Sequence, residues 1–182
     1  MDNKKIAVRI KDPRLYIKLI KELRKKDIKI SDNSDILISD YEQSANIFIK
    51  NEEEIDNTVA KAVCLVRGKR EFNELLVGID TNSPDLTVVT IGDGEILEED
   101  RANISGIEDV IEEILSRYPY KRLYIGIGTG NKYGELVYKL LSLRYPFIKK
   151  VDETRTSTKN HYVNIKDKDV RAGFLIALRA TT

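Results

Sequence analysis

Apolar positions along this chain follow two patterns, a helical spacing and short unbroken runs, separated by glycine, proline and charged clusters. Residues 5–10 form a short apolar run that reads as a strand. Asp12-Pro13 then supplies a helix start with proline at the first helical position. Leu15, Ile17, Leu19, Ile20 and Leu23 continue it at close to helical spacing. Short strands are expected at 28–30, 36–39 and 45–49, and a helix from about Asn51 to Arg67. Gly68-Lys69-Arg70-Glu71 is polar and marks a domain boundary. The expected division is a small α/β domain at 1–71, of unknown role, and a second domain at 72–182.

The second part begins with strands at 75–80 and 86–91, with Gly92-Asp93-Gly94 as a hairpin turn. Residues 95–102 give a third, less apolar strand. Ser105, with Glu108 three residues on, suggests a capping box for a helix at 107–118. A buried strand at 123–127, a helix at 133–145 ended by Pro146, a strand at 148–151 and a helix at 167–180 complete the chain. The order βββαβαβα predicts an α/β fold: an antiparallel start and later crossovers in one mixed five-stranded sheet with flanking helices.

Composition narrows the function. The chain has 182 residues, of which 41% are apolar, ample for a core. A formal net charge of +1 excludes a uniformly basic nucleic-acid binder. The charge is nonetheless segregated. Residues 1–30 carry eleven Lys/Arg against four Asp/Glu, and 31–57 carry one against eight. Residues 93–113 hold a single base among nine acids, whereas 117–171 hold thirteen bases against five acids. A basic surround for the later acids suits a polyanionic partner. Arg14, Lys18, Lys21, Arg24 and Lys25 also make a basic face on the first helix. Cys64 is the lone cysteine, which excludes an intramolecular disulfide and a cysteine-based metal site. No secretory signal or membrane-length apolar stretch is evident, so a cytoplasmic protein is expected. The 34% charged residues and the absence of Trp suit a thermophile.

Three carboxylate positions stand out. The run Leu75-Leu76-Val77-Gly78-Ile79 ends on Asp80, so a buried strand delivers one charged group at its exit. Asp152 and Glu153 follow the run 147–151, and strand alternation admits only one of them to a given face. Asp167 and Asp169 open the last helix, where Asp167 either competes with Asp169 for a place in the site or serves instead as the helix N-cap. Separated acids of this kind suit a divalent-metal site for phosphodiester hydrolysis, in which two ions roughly 3.5–4 Å apart activate water and neutralise the leaving oxygen. Ordinary surface acids are the competing reading. Gly128-Thr129-Gly130, between a strand and a helix, is either a phosphate-cradling turn or plain turn punctuation. It is neither a Walker motif nor a full dinucleotide fingerprint. His161, the single histidine, is a general-base candidate or an incidental loop residue.

This order, with acids at the ends of the first and last strands and in the last helix, resembles the ribonuclease H-like fold. It is most similar to the RuvC-like group, especially the YqgF family of Holliday junction resolvases and pre-ribosomal-RNA nucleases. Val77-Gly78-Ile79-Asp80 resembles that family's first strand. Val151-Asp152-Glu153-Thr154-Arg155-Thr156-Ser157 resembles its Asp-Glu-Arg motif, and Asp169-Val170-Arg171-Ala172-Gly173-Phe174-Leu175-Ile176 its final helix. The resemblance covers about residues 73–180. It implies a catalytic, Mg²⁺- or Mn²⁺-binding set of Asp80, Glu153 and Asp169, with Asp152 and Asp167 as substitutes. It also implies a nucleic-acid partner, and a symmetric homodimer if the substrate is a junction. Lys149, Lys150, Arg155, Lys159 and Arg171 are candidate phosphate contacts for such a partner, or ordinary solvated loop charges. Asn82-Ser83-Pro84-Asp85 stands where the family has a basic-Ile-Gly element, and Thr154 where its Arg follows Glu. A binding module of the same fold without activity is the alternative.

Overall fold

The structure, a computed structural model, describes residues 5–152 and 165–182. The chain divides into two compact units, one of residues up to Phe72 with 117–119, the other of the remainder.

In the first unit, strand β1 (Lys5–Arg9) leads into helix α1 (Pro13–Lys25). Strands β2 (Lys29–Ile30), β3 (Leu37–Ser39) and β4 (Ile47–Phe48) follow, then a 3-10 turn (Glu52–Glu54) and helix α2 (Ile55–Leu65). Helix α1 begins where Asp12 accepts a 2.8 Å bond from the Arg14 amide, with Pro13 at the position that needs no donor. Its buried face of Leu15, Leu19, Ile20 and Leu23 packs on α2. The sheet order is β2-β1-β3-β4, with every pair parallel. That order reverses direction between β1 and β3, the place where open parallel sheets leave a crevice at their strand ends. Here Asp40 fills it. Its carboxylate accepts from the Lys11 amide at 2.9 and 3.0 Å and from the Asp12 amide at 3.3 Å.

The second unit is a mixed α/β structure on a five-stranded sheet ordered β7-β6-β5-β8-β9. Its strands are β5 (Phe72–Asp80), β6 (Asp85–Gly92), β7 (Glu95–Asn103), β8 (Tyr120–Gly128) and β9 (Lys149–Val151). Helices α3 (Ile107–Arg117), α4 (Lys132–Ser142) and α5 (Lys168–Arg179) connect or follow them. Strands β5, β6 and β7 pair antiparallel, and β8 pairs parallel with β9. The β6–β7 turn places Asp93 at φ 48° and Gly94 at φ 88°, two consecutive left-handed residues as a tight hairpin requires. The middle strand β5 has a neighbour on each edge and buries Leu75, Leu76, Val77 and Ile79, which explains its unbroken apolar run.

The start of α3 differs from the expected capping box. The Ser105 hydroxyl donates to Asn103 Oδ1 at 2.9 Å, and the Gly106 amide donates to the same oxygen at 2.8 Å. An asparagine at the strand end thus competes for the hydroxyl that local pattern assigns to the helix.

Helix α5 lies across β6 and β8 at very close range. A Cβ added at Gly126 would meet the Ile176 carbonyl oxygen at 2.8 Å, and one at Gly173 would meet Val89 Cγ2 at 2.7 Å. The small residues on both surfaces therefore fix how deep the helix sits, and with it where its first turn falls. No helix among the described residues is long and apolar enough to cross a membrane.

Candidate functional site

The site grows from the exit of β5. Asp80 is buried, 3% exposed, and its Oδ1 accepts a 2.7 Å bond from Asn82 Nδ2. The next residue, Thr81, is fully buried and donates to the Gly128 carbonyl at 2.8 Å. Asn131 donates from Nδ2 to the Thr81 carbonyl at 2.9 Å. Its Oδ1 caps α4, accepting from the amides of Tyr133 and Gly134 at 2.8 and 3.1 Å. The ends of β5 and β8 and the start of α4 are joined by one polar network.

That network takes in the 128–130 turn. The first amides of α4 are taken by Asn131, and the Thr129 amide donates to the Val151 carbonyl at 3.3 Å. A Cβ at Gly134 would stand 2.0 Å from the Gly128 carbonyl oxygen, so the helix start is pressed onto the turn. These groups hold the sheet end together, and the Thr129, Tyr133 and Gly134 amides are engaged in doing so.

A row of side chains crosses the antiparallel strands beside Asp80. Asp80 pairs with Thr87 on β6, and Thr87 pairs with Arg101 on β7. Directly opposed residues share a face of an antiparallel sheet. Gly78, two residues before Asp80 and so on the same face, is the residue that α5 presses upon. The row therefore lies on the α5 side. The Arg101 guanidinium donates through Nη1 to the Thr87 hydroxyl, and the same nitrogen reaches Asp169 Oδ2 at 3.3 Å. Its Nη2 stands 3.5 Å from Asp167 Oδ2. The Asp80 position and the acids at the start of α5 thus share one end of one sheet face, with Thr87 and Arg101 in the same row.

The two acids of α5 have different tasks. Asp167 is the N-cap, its Oδ1 accepting from the amides of Asp169 and Val170 at 2.8 and 3.1 Å. Those two backbone bonds hold its carboxyl below the usual carboxylate range, with smaller help from Arg101 and Arg171. Asp169 carries the ion pair to Arg101, with its side chain 44% exposed.

Of the remaining predicted residues, Lys149, Lys150 and Asp152 border one open depression beside β9, together with Arg179. Asp152 is exposed after β9, and its backbone carbonyl accepts from the Arg179 guanidinium. Lys149 is exposed, whereas Lys150 is paired with Glu135 at 2.7 Å and lies over the Tyr138 ring. Arg171 is buried, 6% exposed, and donates to the Ile165 carbonyl at 2.7 Å, which makes it a strut for the approach to α5. Glu153, Arg155, Lys159 and His161 lie outside the described residues.

Arg101 is the residue that sequence reasoning passed over. The signal was present as the single base in the acidic stretch 93–113. Only pairing across β6 and the seating of α5 give it meaning.

Asp80 and Asp169 offer hard oxygen donors of the type that Mg²⁺ and Mn²⁺ select. Among the described residues no group of three His, Cys, Asp or Glu side chains stands together to hold a metal, so the described part of the site contributes two carboxylates on one face. Comparison with family models, curated proteins and solved structures returns no match.

Proposed function

We propose that the chain is a divalent-metal-dependent nuclease of the ribonuclease H-like, RuvC/YqgF-like type, acting on structured nucleic acid such as junction DNA or precursor RNA. One observation carries the reading: a buried middle strand ends on Asp80, on the same sheet face and at the same end as Asp169 of α5. The antiparallel hairpins β5–β7, with β8 and β9 on the other side of β5, are the arrangement that this resemblance calls for.

In this reading Asp80, Asp169 and Glu153 hold Mg²⁺ or Mn²⁺. Bound there, the ions would lower the pKa of a water and neutralise the oxygen that leaves phosphorus. The chain's own residues do the positioning. Asn82 fixes one oxygen of Asp80, and burial on β5 fixes its backbone. The Asp167 cap fixes the first turn of α5 and so directs Asp169. Lys149 is an exposed cation available to phosphate. A cytoplasmic setting, and a symmetric dimer for a four-way junction, belong to the same proposal.

The test is cleavage with Mn²⁺ of a four-way junction, duplex DNA and a structured RNA, with Asp80→Asn alongside. Cleavage of one substrate class by the native chain and none by Asp80→Asn is the expected result. No cleavage by folded native protein would end the nuclease reading. It would favour a non-catalytic binding module of the same fold, a reading to which the Arg101–Asp169 ion pair lends weight because a protein cation already holds that carboxylate.

A further inference from the structure

The acids of α5 are not presented to solvent as free ligands. Arg101 reaches across from the hairpin and bonds Asp169, Asp167 and the Thr87 hydroxyl together. Thr87 is buried and is the register partner of Asp80. The guanidinium is therefore held through Nη1 both by the Thr87 hydroxyl, in the row that contains Asp80, and by the Asp169 carboxylate. Its side chain is also 52% exposed and borders a shallow depression lined by Asp85, Ala102 and Asn103. An ion pair so open to water is weakly held, and a competing cation can displace it.

We propose that Arg101 is a built-in counter-cation of the site, a positioning residue that keeps Asp169 directed toward the Asp80 end of the sheet and competes with the divalent ion for its carboxylate. The inference rests on the nuclease reading for the identity of that ion. It goes beyond that reading in making metal affinity a property set by a residue on β7, outside the ligand set. The physical balance has two parts. Removing the guanidinium frees an oxygen of Asp169 and removes one positive charge from beside a doubly charged ion. Both changes favour the ion, by roughly three- to tenfold in affinity for groups this exposed. Loss of positioning acts the other way, but Asp169 remains fixed to α5 by the Asp167 cap.

The experiment is Mn²⁺ titration by calorimetry on the full chain, metal-free at the start and at low ionic strength, for the native protein, Arg101→Gln, Arg101→Lys and Arg101→Gln/Asp169→Asn. Tighter binding by Arg101→Gln, near-native binding by Arg101→Lys, and loss of the gain in the double variant are expected. Binding seen only after Arg101→Gln would also support the competition, while removing the metal-dependent reading from the native chain. Equal or weaker binding by Arg101→Gln beside a native protein that binds would overturn the competition and leave the nuclease reading standing. A gain that survives Asp169→Asn would overturn it as well, since the ion would then not use that carboxylate. No binding by any of the four would overturn both.

Discussion

Gly78 on β5 and Gly173 on α5 are in backbone contact: a Cβ at Gly78 would stand 1.9 Å from the Gly173 carbonyl oxygen and 2.6 Å from the Ala177 amide nitrogen. Helix and strand approach this closely because neither carries a side chain at the crossing. The same closeness brings the first turn of α5 to Arg101 and the Asp80 end of the sheet.

Gly78→Ala should therefore be costly. The obstructing atoms are backbone, so the whole helix must lift, and overpacking of this kind costs about 3 kcal/mol or more. Urea unfolding would show a lower midpoint. A change within about 0.5 kcal/mol would mean that α5 is not seated as described.

Asp167→Ala removes the α5 cap and should cost about 1 kcal/mol. The loss should depend on pH. The folded carboxyl sits below its ordinary value of 3.8, so its stabilisation is complete above that value and disappears as pH falls through the lower folded value. Native and variant stabilities, followed by thermal unfolding, should differ near neutrality and draw together as pH falls through the lowered folded value. A constant difference across that range would contradict the cap.

Asp40→Ala empties the β1–β3 crevice of its carboxylate and leaves the Lys11 and Asp12 amides without their acceptor. A cost of about 1–3 kcal/mol is expected from charge-assisted bonds of this type. Amide hydrogen exchange should accelerate at Lys11 and Asp12. Unchanged exchange at both would show that the carboxylate is dispensable there.

Lys149 and Lys150 should differ on nucleic acid. Lys149→Ala should flatten the slope of log affinity against log salt by about 0.9, the share of one phosphate contact. Lys150→Ala should flatten it less, because its ammonium is already bound to Glu135 over Tyr138. Fluorescence anisotropy at several salt concentrations separates them, and equal slopes for the two variants would discount this distinction.

Much of the fold was legible because its signals are local. Asp12-Pro13 announces a helix start, and the Gly92-Asp93-Gly94 turn between two expected strands is a hairpin with left-handed residues. The capping box at Ser105 misled, because Asn103, two residues back, draws the same hydroxyl. Asp167 could be read as cap or ligand, and two amide bonds make it the cap. Arg171 resembled a surface cation in sequence, yet its guanidinium is folded inward onto the Ile165 carbonyl. Burial of a long basic side chain leaves no trace in periodicity.

By itself the sequence determined the elements, their order, and the exit of a buried strand on Asp80, since periodicity, turn residues and caps act over a few neighbouring positions. Tertiary structure alone decided that Asp80, Thr87 and Arg101 form one row and that Asp169 is bound to it. Those relations depend on strand register and on the depth of α5 against Gly78 and Gly126, which are set by contacts between residues far apart in the chain.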